Sequence, residues 1–434
     1  MIERSMMTSK IPHPDSGFVW TWLAGETRPV IAGRLDRRPE GIRFAYGRSY
    51  LERKDAVPLY EPELPLRSGL LPLPTGLSMP SAIRDAAPDA WGRRVILNRN
   101  FGVKGDDLDD LQLDELTFLL QSGSDRIGAL DFQTSATDYA ARASQATLSE
   151  LVASAQKVED NLPLSPDLDQ ALHHGSSIGG ARPKALITDG DRKLIAKFSS
   201  TSDVYSVVKV EFVAMRLARR AGLHAAQVQL VKASGRDVLL VERFDRVRCD
   251  ESWVRRAMVS ALTLVGLDEM MARYASYEDL AEIIRHRFTD PTRTLHELFR
   301  RIMFNILIGN TDDHARNHAA FWDGSALTLT PAYDICPQGR AGQEASQAML
   351  IVGQDRSSRI ETALVSAPHF HLSEAQAIAI ADAQIRTICD HWREECNAAD
   401  LGEVDRNLLW RRQFLNPYAF VGLRESAALL ARLV

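Results

Sequence analysis

Hydrophobic positions repeat with two different periods along this chain, and the period changes near the middle. Residues 17–60 carry short alternating runs, FVWTWLAG, RPVIAGRLD and GIRFAYGRSYL, broken by Gly-Glu and Pro-Glu-Gly, and these predict strands. Between Pro58 and Pro80 the chain is rich in Pro, Leu and Gly, which suits an irregular segment. Helical spacing follows Pro88 up to residue 100, a short helix is predicted over Leu111–Leu120, and IGALDF predicts a strand. Residues 133–145 are small and polar, the composition of a junction, and a helix is predicted over 147–160. Alternation returns in KALITDG and RKLIAKF, a helix over Val208–Ala221 comes next, and VQLVKASGRDVLLVERF predicts a hairpin running into an extended segment. From Trp253 onward the pattern is mostly helical. There the strongest element is 295–308, where Leu295, Leu298, Phe299, Ile302, Met303, Ile306 and Leu307 make one apolar stripe. Gly309 stands at its natural stop. The expected organisation is α+β, with segments 1–140, 141–250 and 251–434: two strand-rich, the last mostly helical.

Composition narrows the class without naming a function. The chain has 434 residues, 45% of them hydrophobic and 25% charged, which suits a folded chain of two or three domains. A formal net charge of −5 provides no overall field for gripping nucleic acid. The four cysteines form no C-x-x-C pair and no metal-spaced set with histidines, a usage that fits a reducing compartment. The start, MIERSMMTSKIPHPDSG, has no signal-like apolar run, and no stretch approaches a membrane span of roughly 18 apolar residues. The expectation is a cytoplasmic chain with no membrane partner.

The buried 295–308 helix delivers a polar loop, NTDDHARNH, in which Asp312 and Asn317 lie five apart. Kinase catalytic loops use the same interval: the Asp accepts a proton from the attacking hydroxyl, and the Asn oxygen reaches a Mg²⁺ on the phosphates. Asp334 follows a predicted hairpin, where kinases place their second metal-binding Asp. The plain alternative is a capped turn after a helix, and a lone D-x-x-x-x-N would carry no more than that. Lys197, in an alternating run, is a candidate for the α/β-phosphates of ATP, or else a solvent-facing strand lysine. Glu211 on the next helix could pair with it. Ser176, Ser177, Gly179, Gly180 and Lys184 belong to GSSIGGARPK, a glycine-rich run placed where a phosphate loop belongs, though it lacks Walker A spacing. VERFDR follows an apolar strand and would be the segment between lobes whose backbone meets adenine, or else a strand end with solvated charges. His314 and His318 are spaced i, i+4 but sit in a loop with no third ligand, so zinc is disfavoured.

Taken together these motifs resemble one family, the HipA-like kinases of bacterial toxin–antitoxin modules. DAWGRR (89–94) and SGSDRIGAL (122–130) resemble its N-terminal part; SIGGARPKAL, LIAKF, VERFDR, IGNTDDHARNH and LTPAYDI resemble its kinase part. The resemblance implies a two-lobed protein-kinase-like fold and an ATP- and Mg²⁺-dependent protein serine/threonine kinase. Asp312 is then the base, Asp313 a variable filler, and Asn317 and Asp334 the Mg²⁺ ligands. Lys197 and Lys184 contact ATP phosphates, and Glu242 and Phe244 border adenine through their backbones. Ser177, with Ser176 beside it as the alternative, matches the serine whose autophosphorylation ejects the loop and switches the kinase off. The implied partners are a small HipB-like helix-turn-helix antitoxin, operator DNA through that antitoxin, and a protein substrate; known cases include an aminoacyl-tRNA synthetase. A small-molecule phosphotransferase and a non-catalytic corepressor are the competing readings.

Overall fold

The computed structural model describes residues 14–101, 113–142, 147–159, 182–199, 203, 205–340, 342 and 344–434. They fall into two compact units: 1–202 with 231–259 and 322–325, and 203–230 with 260–321 and 326–434.

The first unit opens with an antiparallel sheet of order β3-β2-β1-β4, made of β1 Ser16–Thr21, β2 Val30–Arg38, β3 Gly41–Tyr46 and β4 Leu130–Gln133. Strict alternation in β3 turns Ile42, Phe44 and Tyr46 into the core. Gly33 in β2 tolerates no side chain, since a Cβ would lie 2.1 Å from the Ala45 carbonyl oxygen. A second sheet has the order β5-β6-β8-β7, from β5 Lys184–Asp189, β6 Arg192–Phe198, β7 Val228–Ala233 and β8 Arg236–Glu242. Leu194, Ala196 and Phe198 of β6 enter one core with Trp91 and Val95 of the helix Ala90–Phe101 and with Leu151, Val152, Ala155 and Val158 of the helix Leu148–Glu159. The expected segments 1–140 and 141–250 therefore share buried apolar surface. Trp91 adds a directional tie, its indole N–H donating to the Lys184 carbonyl at 3.1 Å.

The switch to helix expected at Trp253 comes later. Arg246–Cys249 and Ser252–Arg255 form an antiparallel hairpin, with Asp250 in the left-handed conformation (φ +51°). Strands of only four residues leave too little periodicity to be distinguished from loop.

The second unit is built around the helix Pro291–Ile308. It starts four residues before the predicted stripe because Asp290 caps it, accepting from the Arg293 N–H at 3.3 Å, and Pro291 occupies its first turn without needing a donor. All seven stripe residues are buried, and so are Phe304 and Ile308 outside the stripe. The helix stops at Gly309 (φ +69°), where a Cβ would sit 2.8 Å from the Gln413 carbonyl oxygen, so both conformation and space require glycine. The helices Val207–Arg220, Tyr277–Arg287, Ile360–Ser366 and Glu374–Ala398 complete the main helical set. No helix among the described residues is long and apolar enough to cross a membrane.

Candidate active site

The chain leaves Gly309 into a loop that bonds mainly to itself. His314 N–H donates to the Asp312 carbonyl at 2.8 Å, Asn317 N–H to the His314 carbonyl at 2.8 Å, and the Asn317 side-chain amide to the Asp312 carbonyl at 3.1 Å. Asp312 and Asn317 are thus two points on one closed turn. With its N–H committed to the loop, the Asn317 amide keeps its oxygen, a hard donor, for a cation. The Tyr333 hydroxyl donates to the Arg316 carbonyl at 2.7 Å, which ties the segment carrying Asp334 to the loop. Asp334 has a left-handed backbone (φ +58°), an unusual conformation for a non-glycine residue and one that concentrates at functional positions.

The two adjacent aspartates have opposite environments. Asp312 is exposed, yet partial desolvation of its carboxyl raises its pKa above the ordinary value; His314 opposes the shift, and the Asp334 and Asp313 carboxylates add to it. A raised carboxyl pKa moves the group toward the range useful for a base near neutral pH. Asp313 is only 3% exposed and accepts three hydrogen bonds: from the Tyr277 hydroxyl, from the Asn305 amide at 2.7 Å and from the His318 ring at 3.0 Å. Burial pushes this carboxyl up, but His318 and the hydrogen bonds from His318 and Tyr277 outweigh burial and hold it below the ordinary value. Burial, then the Asp313 charge, pushes the Tyr277 phenol well above its usual range. Asn310 extends the chain of bonds by donating to Asn305 at 3.0 Å. Asp313 is therefore no filler. It joins the loop to the helices Tyr277–Arg287 and Pro291–Ile308, and the Asp-to-Asn interval contains no hint of this. The available signal was Asn305, a polar residue inside the most strongly apolar helix of the chain.

Apart from Glu211, the remaining predicted residues belong to the first unit or lie outside the described residues. Ser176, Ser177, Gly179 and Gly180 are in the latter group. Lys184 opens β5 opposite Lys197 on β6. It is 3% exposed, and its ammonium lies 3.4 Å from the Asp89 carboxylate, so the family-type DAWGRR motif supplies its counter-charge. Lys197 is half-buried on the sheet face opposite Leu194, Ala196 and Phe198. Glu211 is buried on the helix Val207–Arg220 of the second unit. Glu242 ends β8 across from Leu194, and Phe244 follows in a turn. Arg243 N–H donates back to the Lys193 carbonyl at 2.8 Å, so strand alternation turns the Glu242 backbone groups to the other edge of β8.

The charges of VERFDR are not solvated. Arg243, Asp245 and Arg246 are buried and lock onto SGSDRIGAL. Asp125 receives Arg243 at 2.9 Å and Arg246 at 2.8 Å, while Asp245 receives both arginines and the Gly128 N–H at 2.8 Å. The Arg126 carbonyl accepts from Arg243 at 2.6 Å and from Arg246 as well. Burial pushes the Asp125 and Asp245 carboxyls up, but the surrounding guanidiniums outweigh it, holding Asp125 well below the carboxylate range and Asp245 below its ordinary value. Two motifs well over a hundred residues apart are halves of one junction.

The HipA N-terminal domain family matches residues 26–133, and the HipA-like C-terminal domain family matches residues 176–399. The chain belongs to the HipA family. Within the HipA relatives, the Sinorhizobium fredii protein Y4mE is 26% identical over 330 residues, covering 70% of this chain and 74% of Y4mE. The serine/threonine-protein kinase toxin HipA of Shewanella oneidensis is 27% identical over 183 residues, 37% of this chain and 42% of that protein. The solved Shewanella oneidensis complex of HipA, HipB and operator DNA contains a chain that superposes with a TM-score of 0.63 at 20% identity, covering 95% of this chain and 94% of that one. The α+β HipA fold is thereby shared along nearly the whole length. Among the described residues no group of three or more His, Cys, Asp or Glu is placed to hold a metal ion.

Proposed function

We propose that this chain is a cytoplasmic, ATP-dependent protein serine/threonine kinase and the toxin of a toxin–antitoxin module. The observation that carries the reading is the loop that sets exposed Asp312 and buried Asn317 on one turn, tied through Tyr333 to the segment bearing Asp334. In this reading Asp312 accepts the proton of a substrate serine or threonine hydroxyl as its oxygen attacks the terminal phosphorus of ATP. The proton ends on the Asp312 carboxyl, and ADP is the leaving group. The Asn317 amide oxygen and the Asp334 carboxylate suit Mg²⁺, a hard cation that keeps several waters and needs few protein ligands. Bound there, Mg²⁺ would offset charge on the phosphates. Lys197 is the proposed phosphate contact, and the Glu242 and Phe244 backbones the proposed adenine border. Lys184 holds its charge on Asp89, so its proposed part in nucleotide binding is to anchor the start of β5.

The proposed partners follow the family. A helix-turn-helix antitoxin restrains the chain and carries it to operator DNA, in keeping with the Shewanella HipA–HipB–operator assembly. The substrate is a protein of the translation machinery, and phosphorylation of Ser177 switches the kinase off. Incubation of the purified chain with radiolabelled ATP, Mg²⁺ and a bacterial lysate tests the reading. Label should appear on serine or threonine of a discrete protein. No labelled protein, with ATP turned over onto a small molecule, would contradict it.

A further inference from the structure

Most exposed large hydrophobic side chains of this protein stand singly, such as Leu66, Val247, Val404 and Leu429, and single exposed apolar residues need no explanation. Met270, Met271 and Tyr274 are different. They lie within five residues of one another, and Met270 is 85% exposed. All three belong to the short 3₁₀ helix Glu269–Tyr274, which buries none of its residues.

This segment is well anchored. Asp268 caps it through the Met270 N–H at 2.9 Å, and the Arg356 guanidinium donates to the Arg273 carbonyl at 2.6 Å. Just beyond it, Leu350 N–H donates to the Ala275 carbonyl and Tyr277 N–H to the Leu350 carbonyl, each at 2.9 Å. Its charges are also committed. Glu269 pairs with Arg316 at 2.6 Å, and Arg273 lies 4.9 Å from the Tyr274 ring centre while bonding its hydroxyl at 3.1 Å. A firmly held backbone with its charges paired leaves apolar and thioether surface as what it offers a partner.

Its position points to the partner. The segment and the helix that follows it hold the proposed catalytic loop, through Glu269 to Arg316 and through Tyr277 to Asp313. Those two loop residues are the chain neighbours of Asn317 and Asp312. We infer that Met270, Met271 and Tyr274 form a docking platform for the polypeptide substrate, taking an apolar side chain close to the acceptor hydroxyl. The inference rests on the kinase reading and adds a substrate class to it. Methionine is flexible and polarisable, so a methionine pair accepts apolar side chains of varied shape.

The test uses the full chain, labelled ATP with Mg²⁺, and serine-centred peptides in which one position at a time is fixed as Leu, Met, Phe, Asp or Lys. The unsubstituted chain should favour Leu, Met or Phe over Asp and Lys at one or more of those positions. The double substitution Met270→Glu, Met271→Glu should remove that preference and lower transfer to the favoured peptides at least tenfold, with ATP affinity and thermal midpoint unchanged. A flat preference in the unsubstituted chain, or a preference kept by the double variant, would overturn the docking platform alone. Labelling of lysate proteins but of no peptide would also overturn it, leaving the kinase reading in place. No transfer to lysate or peptide would overturn both.

Discussion

The two units of this protein bury carboxylates by opposite means. In the first unit Asp125 and Asp245 sit among guanidiniums, charge against charge, with backbone carbonyls of SGSDRIGAL taking up the remaining N–H groups. In the second unit Asp313 is held by a phenol, an amide and an imidazole. The first arrangement joins two distant stretches of chain and has no tolerance for losing one charge. The second is a small hub whose donors come from separate elements, so it fixes where the loop after Gly309 lies. A buried network serves cohesion in one place and positioning in the other.

The largest effect on stability should come from breaking the first network. Arg243→Met leaves Asp125 and Asp245 short of a partner and should cost about 3–5 kcal/mol, since removing one side of a buried ion pair strands the other. Chemical denaturation measures this; a loss of under about 1 kcal/mol would mean the arginines of this junction are interchangeable with apolar packing. Asp313→Asn comes next. The amide keeps the shape but faces the Asn305 and His318 donors with one of its own. About 1–3 kcal/mol of stability should go, with phosphoryl transfer down roughly tenfold or more and ATP affinity little changed. Near-normal transfer would return Asp313 to the role of filler.

Acid should sharpen the same contrast. Asp125, Asp245 and Asp313 all have folded-state pKa values below the ordinary value. Their stabilisation is therefore fully present above the unfolded carboxylate pKa of about 3.9 and is lost as pH falls below it toward the folded values. Midpoints measured from pH 6 downward should fall less steeply below pH 4 in Arg243→Met, which has already lost part of the shift; equal slopes would show that other carboxylates govern acid unfolding. The smallest effect belongs to the exposed pair Arg48–Glu52, 2.7 Å apart on the surface. Arg48→Ala should leave the denaturation midpoint unchanged within error, because solvent screens such pairs.

How much of this was visible in the residues depends on the range of the interaction. The stripe of 295–308 and the Asp312–Asn317 interval are local patterns, so both the central helix and the closed turn after it were legible. The helix start was missed because Asp290 and Pro291 signal through capping rather than hydrophobicity. VERFDR was open to misreading because its partner lies more than a hundred residues away, and six residues, four of them charged, resemble a solvated strand end until that partner is known. Asp313 was missed for a related reason: spacing places a residue in the chain but not in a hydrogen-bond network, and its three donors come from residues 277, 305 and 318. The hairpin at 246–255 was too short to announce itself.

The central claim is that neighbouring aspartates divide the work, Asp312 performing chemistry and Asp313 holding the loop. It is tested most directly by measuring ATP-dependent phosphoryl transfer and thermal midpoint together for Asp312→Asn. Removal of a general base should lower transfer about 10²- to 10⁴-fold, and the midpoint should stay where it was, because Asp312 is exposed and its carbonyl bonds are backbone. Transfer that survives in Asp312→Asn, or a midpoint that drops as it does for Asp313→Asn, would contradict the account.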